Sequence, residues 1–412
     1  MTSLRGVLAV AYLAAPGAAP AQAVPPVDGT HLQVYLLTMG PGASVYERFG
    51  HNAIWIRDTV ARTDAIYNYG MFEFPDSFSG MLGFIGDFAM GRPRYWLGVD
   101  SSLDNELFIY QMRGRNLSAQ ELNLAPAQRA DLAERLARNA LPGNRYYQYD
   151  YFLDNCSTRV RDMLDQVLGG ALRRATVDRP TTATFRFHTL RSLTNDPPLW
   201  LAIDAGLGPR TDRPIDQWHE MFLPQAVAAR MSDLKRIDST GTSIPVVSRS
   251  FTLLTINRYH VAAAPPHWIP GFTAIGAALA VMILLGLRAD GYGVLGRVIA
   301  TTWLAVVGLG GLLLLFLWLC TRHVATYANH NVLFITPLAL AVIPSVWSRA
   351  TPVGWRLRAI HGAVVSVLIG AALLVVPIAS PQRNALILAL VVPPLLASVW
   401  VALRRQRAAE MR

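Results

Sequence analysis

The chain has 412 residues, of which 16% are charged and 52% are hydrophobic, and its mean hydropathy is +0.29. This balance is too apolar for a purely soluble protein, and the length suffices for two or three domains, so a membrane part is predicted. The formal charge of +10 comes partly from arginines in the C-terminal third, so it is weak evidence for nucleic acid. We expect no nucleic-acid partner.

The N-terminus has the pattern of a signal peptide. Arg5 precedes a short apolar run, and Ala21-Gln22-Ala23 has the small-x-small form that signal peptidase cleaves. The apolar run at residues 6–15 is too short to span about 30 Å of hydrocarbon. We therefore predict export with a signal peptide at residues 1–23, and an uncleaved anchor is the alternative.

Strand patterns dominate the next hundred residues. Hydrophobic, aromatic and β-branched residues recur in short runs between turn residues, which predicts an antiparallel sheet. The predicted strands cover residues 31–39, a run that starts near His51 with the sequence "HNAIWIRD", residues 64–74, residues 94–98 and residues 107–112.

Helical patterns follow. Ser118 and Glu121 have the spacing of a capping box, and Pro126 suits the first turn of a helix that Pro142-Gly143 ends. A second helix is predicted where apolar residues recur at i, i+3, i+4, i+7 and i+8 from Val160 to Leu168.

The second helix places one of the two cysteines in its first turn. Asp154 or Asn155 is the predicted N-cap, so Cys156 lies where free N–H groups and the helix dipole lower a thiol pKa. Cys156 is therefore a candidate nucleophile, and the alternative is a small buried residue on the face of Val160. A disulfide with Cys320 is the less favoured interpretation, because Cys156 is mid-domain and Cys320 ends an apolar run.

A nucleophilic cysteine needs a base, usually a histidine. The predicted exported part has six histidines: His31, His51, His188, His219, His260 and His267. His51 is favoured because it follows Gly50 at the start of a predicted strand, and an ordinary surface histidine is the alternative.

The C-terminal third contains five apolar runs, at residues 268–287, 299–320, 332–347, 359–379 and 385–403. They predict five membrane spans, although the third run is short and also fits a re-entrant or shielded segment. Arginines on one side of the spans outnumber Arg322 and Arg383 on the other; the larger group is Arg288, Arg297, Arg349, Arg356, Arg358, Arg404, Arg405, Arg407 and Arg412. The positive-inside rule then places the C-terminus in the cytoplasm and residues 24–267 outside the inner membrane.

The motifs, taken in order, resemble one known family. "FGHNAIWI", "YNYGMFEF", "DNCSTRVRDML", "LGPRTDRPIDQWHEMFLP" and "HVATYANHNVLFITPLAL" together are similar to the Lnb-type lipoprotein N-acyltransferase family. The resemblance implies an α+β fold class, in which a permuted papain-like (NlpC-type) extracytoplasmic domain at residues 24–267 precedes an all-α transmembrane domain of about five helices at residues 268–412.

The resemblance also implies a function. The family moves an acyl chain, through a cysteine thioester, from a phospholipid-type donor to the N-terminal amine of lipoproteins, at the inner membrane. Carried onto matching positions, Cys156 is the acyl-accepting nucleophile, His51 its base and Asn155 the residue that helps to fix the helix N-terminus. Tyr67, Tyr69 and Asp154 are candidates for orienting the histidine.

Three polar residues stand in a predicted extracytoplasmic loop near the second span: His323, His330 and Asn331. They fit span-end capping or a lipid-entry loop better than a metal site, because no carboxylate or thiolate lies between them. We expect no metal and no other cofactor. A cell-wall peptidase or amidase of the same fold and a non-catalytic membrane-anchored binding or assembly protein are the alternative functions.

Overall fold

The computed structural model describes residues 28–73, 75–286, 293–348, 354–375 and 382–410. The predicted signal peptide at residues 1–23 lies outside the described residues. So do Arg288, Arg349 and Arg412, on which the predicted orientation partly rests.

The N-terminal part is built on a seven-stranded antiparallel sheet with the strand order β11-β5-β1-β2-β3-β4-β6. The strands are β1 (Leu32–Met39), β2 (His51–Asp58), β3 (Thr63–Met71), β4 (Arg94–Asp100), β5 (Leu117–Leu122), β6 (Tyr146–Gln148), β7 (Pro180–Thr184), β8 (Pro214–Asp216), β9 (Lys235–Ile237), β10 (Ser243–Pro245) and β11 (Val247–Leu254). The pairs β7-β8 and β9-β10 form two small separate sheets.

Helices cover the sheet and build the C-terminal part. They are α1 (Phe78–Ala89), α2 (Leu103–Met112), α3 (Pro126–Ala140), α4 (Cys156–Val167), α5 (Ala171–Thr176), α6 (Phe185–Ser192), α7 (Pro197–Gly206), α8 (Gln217–Glu220), α9 (Pro224–Asp233), α10 (Ile269–Leu285), α11 (Gly293–Cys320), α12 (Leu338–Trp347), α13 (Trp355–Val375) and α14 (Ala385–Glu410). This α+β domain followed by helices confirms the predicted fold class.

Two predicted elements are wrong. Residues 107–112 belong to α2 rather than to a strand, because Ser102 caps the helix and Glu106 and Tyr110, four residues apart, are buried together. Ser118 and Glu121 do not form a capping box but lie in β5. Tertiary pairing decides the conformation there, since β5 is hydrogen-bonded between β1 and β11.

The two faces of the sheet bury different cores, as the two-residue period of a strand requires. Helices α3 and α4 pack on one face, over Leu36, Ile54 and Tyr69. The other face buries Tyr35 and Trp55 against α2. Helix α4 packs directly on β2 and β3, so the first residue of α4 and the first residue of β2 meet at one end of the sheet.

The C-terminal part has five apolar helices among its described residues. Four segments are long and apolar enough to cross a membrane, namely 293–320, 330–347, 355–374 and 385–403, while α10 has only 17 residues. In the third predicted span, α12 has ten residues and a proline at Pro344, and a 3₁₀ turn at His330–Leu333 precedes it. Ten helical residues cover about 15 Å, roughly half of a bilayer core.

The two parts of the chain are in direct contact. The two connections that the arginine pattern places outside, those with Arg322 and Arg383, both hydrogen-bond the N-terminal domain. Leu190, Leu193 and Trp200 of the N-terminal part also share one apolar cluster with the membrane helices. Side chains from both sides of the predicted boundary at residues 267 and 268 therefore pack together.

Candidate active site

Asn155 places Cys156 at the exact start of α4. The Asn155 Oδ1 accepts hydrogen bonds from the N–H groups of Ser157 and Thr158, both at 2.9 Å. Its Nδ2 donates to the carbonyl oxygens of Tyr151 at 2.9 Å and Phe222 at 3.0 Å. Since every one of these contacts is to backbone, Asn155 is a positioning residue. The N–H of Cys156 itself stays outside the cap and points beyond the helix N-terminus.

His51 is the first residue of β2, and Gly50 explains its position. Gly50 has a φ of +86°, a conformation that other residues rarely adopt, and a Cβ there would lie 2.6 Å from the carbonyl oxygen of Met39. The glycine thus permits the turn into β2, where His51 pairs with Met39 of β1. Glycine is therefore required before the histidine by the backbone conformation and by the close approach of the Met39 carbonyl.

The side chains of Cys156 and His51 lie close enough for each to shift the pKa of the other. Burial by itself would raise the pKa of Cys156, but the charge of His51, a hydrogen bond to it and the N–H of Asn52 bring the pKa below its ordinary value. Burial would likewise lower the pKa of His51, yet the neighbouring thiolate raises it above the ordinary value. The pair therefore favours a thiolate and an imidazolium.

Asn68 contacts the histidine on its far side. The Oδ1 of Asn68 lies 3.1 Å from Nε2 of His51, and its Nδ2 donates to Oε1 of Glu106 at 2.7 Å. The carboxylate of Glu106 can only accept, so it fixes the amide with Oδ1 towards His51. Nε2 then carries a proton and donates to Asn68, which leaves Nδ1 to exchange a proton with the thiol. Asn68 and Glu106 are both buried.

Sequence reasoning missed Asn68, although its two neighbours were candidates. Tyr67 is buried in the core under the sheet, and the hydroxyl of Tyr69 accepts from Nδ2 of Asn139 at 2.6 Å. Asp154 forms an ion pair with Arg159 at 2.5 and 2.7 Å. An amide between two tyrosines in a predicted strand was the available signal, because such a group needs polar partners once it is buried.

Tyr147 brings a hydroxyl to the same place. This hydroxyl is buried and has no hydrogen-bond partner among the described residues. A Cβ on Gly70, whose φ is +88°, would lie 3.4 Å from Cβ of Cys156 and 3.7 Å from the Tyr147 hydroxyl oxygen. Burial and then the charge of Cys156 raise the pKa of Tyr147, so the hydroxyl keeps its proton and remains a donor.

The loop after α11 is a joint between the two parts of the chain. His323 binds the hydroxyl of Tyr151 through Nδ1 and the carbonyl oxygen of Phe88, at 2.9 Å, through Nε2. Asn331 donates to the carbonyl oxygen of Ala205 at 2.9 Å, and the backbone N–H of His330 donates to Oε1 of Gln382 at 2.7 Å. His323 and Asn331 thus hold the loop against the N-terminal domain, whereas His330 contacts the connection that precedes α14, and none of these contacts is to Cys156.

Other polar groups have separate partners. His188 lies 3.3 Å from Glu220, His219 is bonded to Asp216, and His31 lies 3.4 Å from Asp58. Cys156 and Cys320 are both free. Over the described ranges, no three histidine, cysteine or acidic residues cluster closely enough to hold a metal ion.

Two family models match the chain. Residues 24–196 match the model described as the Lnb N-terminal periplasmic domain, and residues 245–407 match the model described as the Lnb transmembrane domain. No curated protein and no solved structure matches the chain. The residues gathered around Cys156 all lie within the first match.

Proposed function

Since this chain belongs to the Lnb family of membrane proteins, we propose that it moves an acyl chain from a phospholipid-type donor to the N-terminal amine of lipoproteins, through a thioester on Cys156. The observation that carries the proposal is the pair formed by Cys156, at the start of α4, and His51, at the start of β2, in a domain docked on membrane helices. The periplasmic face of the inner membrane is the proposed location, because both the donor and the acceptor amine are accessible there.

In the first half-reaction the Cys156 thiolate attacks the ester carbonyl of the donor. The negative charge moves to the carbonyl oxygen, where the N–H of Cys156 and the hydroxyl of Tyr147 are the proposed donors. Collapse breaks the ester C–O bond and forms the thioester. His51 gives its Nδ1 proton to the departing oxygen, so the lysophospholipid leaves as a neutral alcohol.

In the second half-reaction the neutral α-amine of a lipoprotein attacks the thioester. His51, now neutral, takes one proton from the attacking nitrogen, and breakage of the C–S bond releases the thiolate and leaves an amide. The thiolate and imidazolium pair is regenerated. Asn68 keeps Nε2 protonated in both halves, so the proton always moves through Nδ1.

A cysteine and histidine pair is also suited to peptide or amide hydrolysis, so the reaction needs its own test. The N-terminal peptides of lipoproteins should be analysed by mass spectrometry in cells that lack other N-acyltransferases, with and without this protein. We expect one additional amide-linked acyl group when the protein is present. Unmodified N-termini in both cultures, together with altered cell-wall peptides, would instead support a peptidase or amidase.

A further inference from the structure

Helix α1 presents an apolar face that its own domain does not cover. None of its residues is buried, and Phe78 is 81% exposed. Phe78, Leu82 and Ile85 recur at i, i+4 and i+7, so they form one stripe, and Phe88 flanks it. Asp87 is the one charged residue of α1, and it follows Phe78 by nine residues, which places it on the opposite side of the helix. A helix of a soluble domain buries such a stripe against a core.

The end of α1 is attached to the end of a membrane span. The N–H of Arg322 donates to the carbonyl oxygen of Met90 at 2.9 Å, and Nε2 of His323 bonds the carbonyl oxygen of Phe88 at 2.9 Å. The span α11 ends at Cys320, two residues before Arg322. The C-terminal end of α1 therefore contacts the C-terminal part at the level where a span leaves the hydrocarbon.

The exposed apolar surface continues from α11 to α1. Large exposed side chains follow α11 up to its last turn; they are Leu309, Leu312, Leu313, Phe316 and Leu319. Lipid covers such side chains on a span, and Phe88 of α1 contacts His323, three residues beyond Cys320. The apolar surface that lipid covers on α11 thus continues to α1. A protein bound over α1 would have to displace lipid from both helices.

We propose that α1 lies in the membrane interface, with the stripe of Phe78, Leu82 and Ile85 among the headgroups and upper acyl chains of phospholipids in the periplasmic leaflet. A helix with one apolar face and one small, polar face binds an interface in this way. The occupant of the stripe is phospholipid itself. This membrane contact is independent of the proposed reaction.

An aromatic path leads from α1 to the thiol. Phe84 stacks on Phe72 with ring centroids 6.3 Å apart, Phe72 lies 5.1 Å from Tyr95, and Tyr95 stacks on Tyr149 at 4.3 Å. Tyr149 and Cys156 both flank Gly70, where a Cβ would contact each of them. Rings of this kind suit an acyl chain with its ester at the polar end. The use of α1 as the donor's entry rests on the proposed function.

Photocrosslinking tests the membrane contact. Phe78→p-benzoylphenylalanine and Leu82→p-benzoylphenylalanine should be made separately in the full-length protein that also carries Cys156→Ala. The protein is reconstituted into vesicles of phosphatidylethanolamine and phosphatidylglycerol, irradiated, and digested for mass spectrometry. Cys156→Ala excludes an acyl thioester, so the result does not depend on whether the enzyme works.

The chain supplies matched controls. Val60 is 79% exposed, a fraction similar to the 81% of Phe78, but Val60 lies in the turn beyond the far end of β2. The eight residues of β2 separate that turn from His51 by about 23 Å. Leu309 on α11 is the positive control.

We expect phospholipid adducts at positions 78, 82 and 309 and at most a few per cent of their yield at position 60. Adducts at position 309 with none at either position of α1 would overturn the proposal. So would equal lipid yields at positions 60 and 78, or crosslinks from α1 to a second copy of the protein in place of phospholipid. Failure of the acyl-transfer proposal would leave these yields unchanged.

Discussion

Oδ1 of Asn68 lies 3.1 Å from Nε2 of His51, so the histidine is held from the side that faces away from the thiol. Asn68→Leu removes this acceptor and leaves the ring free to rotate and to change its tautomer. We expect the acylation rate to fall. The loss should be smaller than the about 10²-fold to 10⁴-fold loss that follows removal of a general acid-base residue. The pH dependence of the rate should change as well. A rate loss with an unaltered pH profile would assign Asn68 to the fold alone.

Glu106 acts through Asn68, and a pair of variants separates its negative charge from its ability to accept a hydrogen bond. Glu106→Gln retains an acceptor oxygen for Nδ2 of Asn68, whereas Glu106→Leu does not. We expect Glu106→Gln to keep most of the acylation activity and Glu106→Leu to resemble Asn68→Leu. Both rates should be measured at saturating donor, with folding checked by circular dichroism. Equal activity of the two variants would contradict a role in orienting Asn68.

The reactivity of Cys156 should depend on pH in a direction that His51 sets. The pKa of Cys156 is lowered despite its burial, so alkylation should reach half its maximal rate below pH 8.5, about the ordinary thiol value. In His51→Ala the charge that lowers this pKa is gone and burial raises it, so the midpoint should move to higher pH. Iodoacetamide labelling of the Cys156 peptide measures both. A midpoint at or above the ordinary value in the unsubstituted protein would remove the activated thiolate.

Acylation itself should show a bell-shaped pH dependence. The rate rises as pH increases through the lowered pKa of Cys156, because the thiolate forms. It falls as pH increases further through the raised pKa of His51, because the imidazolium that protonates the leaving oxygen is lost. Rates should be taken under single-turnover conditions with phospholipid vesicles. A rate that keeps rising through the alkaline limb would be inconsistent with the acid role of His51.

Tyr147→Phe tests the proposed oxyanion donor. Its hydroxyl has no partner among the residues described, so its loss should not lower stability, whereas acylation should slow by about 10²-fold to 10³-fold. Tyr69→Phe is the matched control. The Tyr69 ring is next to that of Tyr147, and the substitution removes the hydrogen bond between the Tyr69 hydroxyl and Asn139. That variant should lose about 1 kcal/mol of stability and little activity. Thermal unfolding and initial rates distinguish the two outcomes.

Elements with strong local signals were predictable from the sequence. The alternation after His51 identifies β2, and the helical period with Asn155 as N-cap identifies α4, because both depend on residues within a few positions. Their meeting at one end of the sheet follows from the family resemblance, since no local pattern encodes it.

The remaining features depend on long-range contacts. Asn68 and Glu106 are 38 residues apart, and only the packing of α2 on the sheet brings the carboxylate to the amide. The strand β5 overrides a local capping pattern, because pairing with β1 on one side and β11 on the other satisfies its backbone. Helix α1 lies in a stretch for which no element is predicted from the sequence, although Ser77 caps the helix and its apolar residues recur at helical spacing.

The covalent state of Cys156 during turnover tests the central claim most directly. The purified protein should be mixed with phospholipid vesicles, quenched in acid and analysed as intact protein and as peptides. We predict one added acyl group on the Cys156 peptide, labile to hydroxylamine and discharged by a lipopeptide with a free N-terminal amine. Cys320→Ala should behave like the unsubstituted protein, and His51→Ala should not form the adduct. Acylation of the lipopeptide by Cys156→Ala, at the rate of the unsubstituted protein, would contradict the account.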